Sequence, residues 1–164
     1  MKSIKTNVVE KFITSLVAAF VLFTANAQAQ SVSATPCEVK ITSIKEGEHV
    51  GPSATIGGTA TLPLEGYLWL FARKTSMGNQ WWPQAGGAIV PDGKTSAWKA
   101  EVFFGVPSDI GSNFDVSAVV VNQQTDKDLT QWFSTAQQRG YPPVRFPDSI
   151  SSCRIVSVTV TKAK

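Results

Sequence analysis

Tyr67-Leu68-Trp69-Leu70-Phe71-Ala72-Arg73-Lys74 is the stretch on which the reading of the chain turns. In an extended strand, successive side chains point to opposite faces. Leu68, Leu70 and Ala72 therefore share one face, and Tyr67, Trp69 and Phe71 share the other. Both faces are apolar. Such a strand belongs inside a sheet, with one face on a main core and a further element covering the second.

The flanking segments repeat a simpler pattern. Ala54, Ile56, Gly58, Ala60 and Leu62 make a one-sided strand before it. After it, Trp98, Ala100 and Val102 alternate with Lys99 and Glu101, and Phe114, Val116, Ala118 and Val120 alternate with Asp115 and Ser117. Val39 and Ile41 alternate with Glu38, Lys40 and Thr42. A period of two with polar partners predicts half-buried strands. Glu46 to Pro52, Pro63 to Gly66 and Pro91-Asp92-Gly93-Lys94 are turn regions, and Gly78 to Val90 reads as a short strand or loop. Six to eight short strands of this kind predict a mainly β domain, an antiparallel sandwich around one core.

One segment breaks the pattern. From Thr125 to Gly140 the apolar residues are Leu129, Trp132, Phe133 and Ala136, at offsets 0, 3, 4 and 7, which is one helical face. Thr125 is the expected N-cap and Gly140 the expected stop. The Trp132/Phe133 face is predicted to pack on the sheet over the Trp69 side. Tyr141-Pro142-Pro143-Val144-Arg145-Phe146-Pro147 must then be extended, because proline forbids helix and weakens strand pairing. The last strand follows, from about Cys153 to Lys162.

The N-terminus has three parts. Lys2, Lys5 and Lys11 make a basic leader, Phe12 to Thr24 is a 13-residue apolar run, and Ala25-Asn26-Ala27 and Ala27-Gln28-Ala29 are small-x-small sites. This order predicts a secretory signal peptide over 1–29, a flexible mature start over 30–36 and one domain over 37–164. The apolar run is shorter than the roughly 20 residues a membrane-crossing helix needs, so no stable membrane insertion is expected after cleavage. The protein is expected to be periplasmic or secreted. The full chain holds 15 Lys+Arg and 12 Asp+Glu; loss of the leader leaves 12 against 11, a net charge of +1. No basic cluster remains that could track a phosphate backbone, so nucleic acid is not an expected partner.

Cys37 and Cys153 stand near the two ends of the domain. In an oxidising compartment they are expected to pair, closing a loop of more than 100 residues. Their flanks, CEVKITSI and CRIVSVTV, are alike. The pairing predicts first and last strands side by side and parallel. Cys153 is out of phase with Val156, Val158 and Val160, so either a bulge near Ile155 intervenes or Cys153 precedes the regular strand.

Ile41-Thr42-Ser43-Ile44-Lys45-Glu46-Gly47-Glu48-His49-Val50, followed by Ile56-Gly57-Gly58-Thr59-Ala60, resembles the opening of many bacterial extracytoplasmic immunoglobulin-like domains. Leu68-Trp69-Leu70-Phe71-Ala72-Arg73 is similar to their third strand, which often bears a tryptophan. Ile44 stands where such domains often carry proline. The resemblance covers residues 37–121. It implies an immunoglobulin-like sandwich of about seven strands and a binding or spacer role, with no catalytic residues to carry over. Two features depart from it: the cysteines are not placed like the inter-sheet pair of antibody domains, and a helix precedes the last strand.

Little in the chain points to catalysis. His49 is the single histidine and lies in a Gly/Pro turn beside Glu46 and Glu48; no G-x-S-x-G elbow, zinc-ligand spacing or calcium loop occurs. No cofactor, metal or catalytic residue is expected. A small secreted hydrolase using a carboxylate pair is the alternative. The unusual feature is aromatic, with five tryptophans. Trp98 and Trp132 fall on core-facing positions. Trp81 and Trp82 are neighbours, so in an extended segment they point to opposite sides and at most one is fully buried. With Asn79, Gln80 and Gln84 they form a candidate site for a protein or a cell-envelope glycan. The expected function is therefore that of an exported, non-catalytic binding module.

Overall fold

The computed structural model describes residues 36–164. The export leader read over 1–29 and most of the 30–36 segment lie outside the described residues. Two sheets and one helix form the domain. The strands are β1 (Glu38–Ile41), β2 (His49–Val50), β3 (Ser53–Thr61), β4 (Tyr67–Lys74), β5 (Trp82–Pro83), β6 (Ala97–Phe103), β7 (Asn113–Val121) and β8 (Val156–Lys162). The helix α1 (Gln123–Ala136) lies between β7 and β8. The smaller sheet has the order β1-β3-β6, and the larger β2-β8-β7-β4-β5. All these pairings are antiparallel except β2 with β8.

The period-two faces meet in one apolar core. Val39, Ile56, Ala60, Trp98 and Val102 from the smaller sheet pack against Leu68, Leu70, Val116, Ala118, Val120 and Val160 from the larger. Gly57 and Gly58 carry a close approach within β3. A Cβ at Gly58 would run into the carbonyl oxygen of Lys40 on β1, so only glycine fits. Trp98 is buried here as predicted. Its indole N–H is the one buried side-chain polar atom without a hydrogen-bond partner among the described residues.

The second face of β4 is also covered. Trp69, Phe71, Trp81, Val119, Val121 and Leu129 form a separate buried cluster, with Tyr67, Phe133, Val144 and Phe146 packed against it. The cover is α1 together with the proline-rich strap that follows it. The strap is held as an extra edge contact, with Trp81 and Val144 exchanging both backbone hydrogen bonds at 2.9 and 2.8 Å. The Trp69 indole N–H donates to Asp126 Oδ1 at 2.9 Å, and its ring stacks on Phe133 at 5.9 Å. The predicted helical face thus packs where the sequence places it.

The helix starts earlier than expected. Asn122, the residue after β7, is the N-cap, and its side-chain oxygen accepts the Thr125 N–H. Thr125 occupies the third helical position instead of the cap. The strand end decides this: extended backbone at Asn122 lets the helix begin at once. Gly140 ends the turn as predicted. It adopts φ +70°, and the next N–H, from Tyr141, bonds back to the Ala136 carbonyl at 2.8 Å.

Cys37 and Cys153 are bonded, with Cα atoms 5.1 Å apart and a sequence separation of 116. The strands they precede do not lie side by side. β1 pairs with β3 in one sheet, and β8 lies between β2 and β7 in the other. Both sides of β8 are therefore already hydrogen-bonded, and the bridge instead joins the two sheets across the core. Cys153 precedes the regular strand. It ends a turn, its N–H donating to the Ile150 carbonyl, while the Ser149 hydroxyl donates to its carbonyl. No bulge near Ile155 is needed.

Candidate binding face

β5 carries Trp82 along the outer edge of β4, with Ala72 opposite Trp82 and Phe71 opposite Pro83, and Trp81 directly precedes it. Alternation therefore sends the two rings to opposite sides. Trp81 is buried in the outer cluster, 4.6 Å from Phe146, and the Arg73 guanidinium lies 4.4 Å over its ring. A cation at that distance is attracted to the ring face. Arg73 is itself oriented by Asp115 Oδ2 at 3.0 Å and by the Gly78 carbonyl.

Trp82 is half-buried, and its indole N–H donates to the Tyr141 carbonyl at 2.8 Å. Tyr141 is 51% exposed and sits 6.3 Å from the buried Trp132 ring. Trp132 in turn donates its indole N–H to the Pro142 carbonyl at 3.0 Å. Two indoles thus hold consecutive carbonyls of the strap, which fixes its start rigidly. Tyr141 has φ +52°, a left-handed conformation that non-glycine residues adopt at a cost.

The amides named with the tryptophans divide by role. Gln84 is buried and bonded at both ends: its Nε2 donates to the Trp82 carbonyl at 3.0 Å, and its Oε1 accepts the Phe103 N–H at 3.0 Å. It ties the edge of the larger sheet to β6 of the smaller. Asn79 is exposed, and its Oδ1 accepts the Phe146 N–H at 3.3 Å. Gln80 is exposed. The face that reaches solvent is therefore Trp82, Tyr141 and the rim of Asn79 and Gln80. Sequence reading missed Tyr141 and Arg73. The available signal was Gly140 directly before Tyr141 and Pro142-Pro143 directly after it, which fix how the tyrosine is presented.

The ordered carboxylates serve as hydrogen-bond anchors. Asp115 accepts from Arg73, Thr159 and, at longer range, Thr75. Asp109 accepts the Val106 N–H at 2.9 Å and pairs with Lys74 at 2.9 Å; the Val106 donor first, then the Lys74 side chain, hold its carboxyl below the usual range. Asp92 collects the Thr95 N–H, the Thr95 hydroxyl and the Lys94 N–H, and its pKa is lowered chiefly by the Thr95 N–H. No group of three or more His, Cys, Asp or Glu placed to hold a metal occurs among the described residues. Among the same residues no helix is long and apolar enough to cross a membrane. No protein-family model matches the chain, and no curated protein matches it.

Proposed function

We propose that the protein is an exported, non-catalytic binding module with an immunoglobulin-like sandwich body. It works in the periplasm or outside the cell and contacts a protein or a cell-envelope glycan through the Trp82–Tyr141 face. The observation that carries this reading is the indole of Trp82, half-buried and pinned by its N–H to the backbone carbonyl of Tyr141, a residue that is itself 51% exposed. Aromatic rings fixed before binding lose little entropy on contact, and their flat faces suit sugar rings or apolar side chains. Asn79 and Gln80 supply amides at the rim for the polar edges of such a ligand. The leader-like N-terminus and the disulfide support export.

The test is a glycan array of cell-envelope saccharides, together with photo-crosslinking from Gln80 on intact envelopes. Trp82→Ala and Tyr141→Ala should each remove the signal and leave the melting temperature within a few degrees. Unimpaired signals in both variants would overturn the reading, as would a loss in melting temperature equal to that of Trp81→Ala.

A further inference from the structure

Gln80, Trp82, Pro143 and Arg145 share one face of the sheet edge. Trp81 and Val144 exchange both backbone hydrogen bonds as an antiparallel pair, so Trp82 falls beside Pro143 and Gln80 beside Arg145. The Phe146 N–H on Asn79 Oδ1, at 3.3 Å, continues the same register by one residue. Alternation turns Trp81, Val144 and Phe146 into the outer aromatic cluster and sends Trp82 and Arg145 to the other side. Exposure follows it: Pro143 and Arg145 are exposed, whereas Val144 and Phe146 are half-buried. Arg145 is the diagonal neighbour of Trp82, a separation of about 7–8 Å or less in such pairs and within reach of a long side chain.

The charge in these segments has one sign. Residues 75–90 carry no charged side chain, and residues 129–147 carry only Arg139 and Arg145. Both arginines are exposed, and neither is in an ion pair among the described residues. Arg139 stands two residues before Tyr141, whose carbonyl holds the Trp82 indole. Asp148, the next acid along the strap, pairs with neither. Lys74, two residues past the Ala72 that faces Trp82, is on the same side of β4, but Asp109 at 2.9 Å matches its charge. Trp82 therefore has an unmatched guanidinium beside it and no carboxylate in the segments that form its face.

Resting on the reading of Trp82 and Tyr141 as the binding face, we propose that the ligand is an anionic saccharide, with a sugar ring on Trp82 and its carboxylate or phosphate on Arg145. The planar guanidinium fork takes either anion in two parallel hydrogen bonds, and the Gln80 amide beside it serves neighbouring hydroxyls. A saccharide fits better than an acidic protein surface. Among the exposed large apolar residues only Tyr141 lies in 79–82 or 139–145, whereas a protein interface forms around a core of several apolar side chains. Aromatic ring faces rimmed by amides and a cation suit a hydroxyl-rich ring with one apolar side.

The test is calorimetric titration of the chain, its disulfide intact, with tetragalacturonate, its neutral methyl ester, a phosphate-linked saccharide of similar length, and polyglutamate of equal charge. At least one anionic saccharide should bind about tenfold more tightly than the methyl ester, and which of the two binds names the anion. Arg145→Gln should weaken that saccharide about tenfold and change the methyl ester less than about twofold, with an unchanged melting temperature. Trp82→Ala should remove binding of both, and added salt should weaken only the anionic probe. Equal binding of methyl ester and acid, or no effect of Arg145→Gln where Trp82→Ala removes binding, overturns the anionic class and leaves the aromatic face standing. Polyglutamate bound as tightly as the saccharides, or saccharide binding kept in Trp82→Ala, overturns it as well, because charge alone would then suffice. Binding of none of the saccharides overturns it too, and crosslinking from Gln80 on intact envelopes then decides whether the face itself falls.

Discussion

The two cores of this protein are built from different chemistry. Between the sheets the packing is mostly aliphatic: Leu68, Leu70, Val102, Val116, Val120 and Val160 are almost fully buried. Outside the larger sheet it is aromatic, with Trp69, Phe71, Trp81, Phe133 and Phe146. The inner core is closed by long strand ladders and by the Cys37–Cys153 bridge. The outer core is closed by one helix and a proline strap that cannot build a ladder of its own. There, polar handles supply the order: Trp69 bonds Asp126, Trp132 bonds the Pro142 carbonyl, Trp82 bonds the Tyr141 carbonyl, and Arg73 covers Trp81. In the inner core the Trp98 indole N–H goes unpaired. Aliphatic side chains pack without direction. Aromatic ones with N–H groups hold irregular backbone in place, and this places a tyrosine at the surface.

The largest way to stress that contrast is to cut the inner closure. Replacing both Cys37 and Cys153 by Ser should cost about 4–5 kcal/mol by loop-closure entropy, read as a drop in urea midpoint without loss of the aromatic near-ultraviolet signal below the transition. A cost under about 1 kcal/mol would mean the ladders alone close the core.

A finer comparison uses two tryptophans of equal size. Trp69→Phe removes a hydrogen bond to the half-buried Asp126 carboxylate, whereas Trp98→Phe removes an unpaired buried donor. Trp69→Phe should therefore be the more costly by about 1–2 kcal/mol. Equal costs would show that the polar handles of the outer core contribute nothing net.

Arg73→Gln removes the cation over Trp81 and the partner of Asp115. It should cost about 1 kcal/mol, and added salt should recover little of it, because the pair is only about a quarter exposed or less, with side-chain exposures of 26% and 15%. The smallest effect concerns the link between the sheets after β6. Asp109 has a lowered folded pKa, so its contribution is fully present above the unfolded value of about 3.9 and is lost as pH falls through the lower folded value. Asp109→Asn should lower stability at neutral pH and flatten the acid limb below about pH 4, in urea titrations across that range.

Much of this architecture is legible in the residues. The alternation in Lys99-Ala100-Glu101-Val102 and in Phe114-Asp115-Val116 is local, so it reads directly as one-sided strand. The offsets of Leu129, Trp132, Phe133 and Ala136 are local too, and the two apolar faces of Tyr67–Lys74 already demanded a cover. What could not be read is which strands become neighbours. The cysteine flanks suggest partners in one sheet, but the two sheets place them opposite each other, because β8 is taken up by β2 and β7. The same limit hid the bridging role of Gln84, which spans the two sheets. Of the candidate face, the opposed rings of Trp81 and Trp82 follow from alternation alone; which of them is buried depends on where the strap runs.

The central claim is that the outer aromatic layer is a separate unit laid on a finished inner sandwich. Hydrogen exchange on the Trp132→Ala variant tests it most directly. The account predicts faster exchange confined to α1, the strap and β5, with the amides of β3, β6 and β8 as protected as in the wild type. A loss of protection spread evenly over both sheets would contradict it.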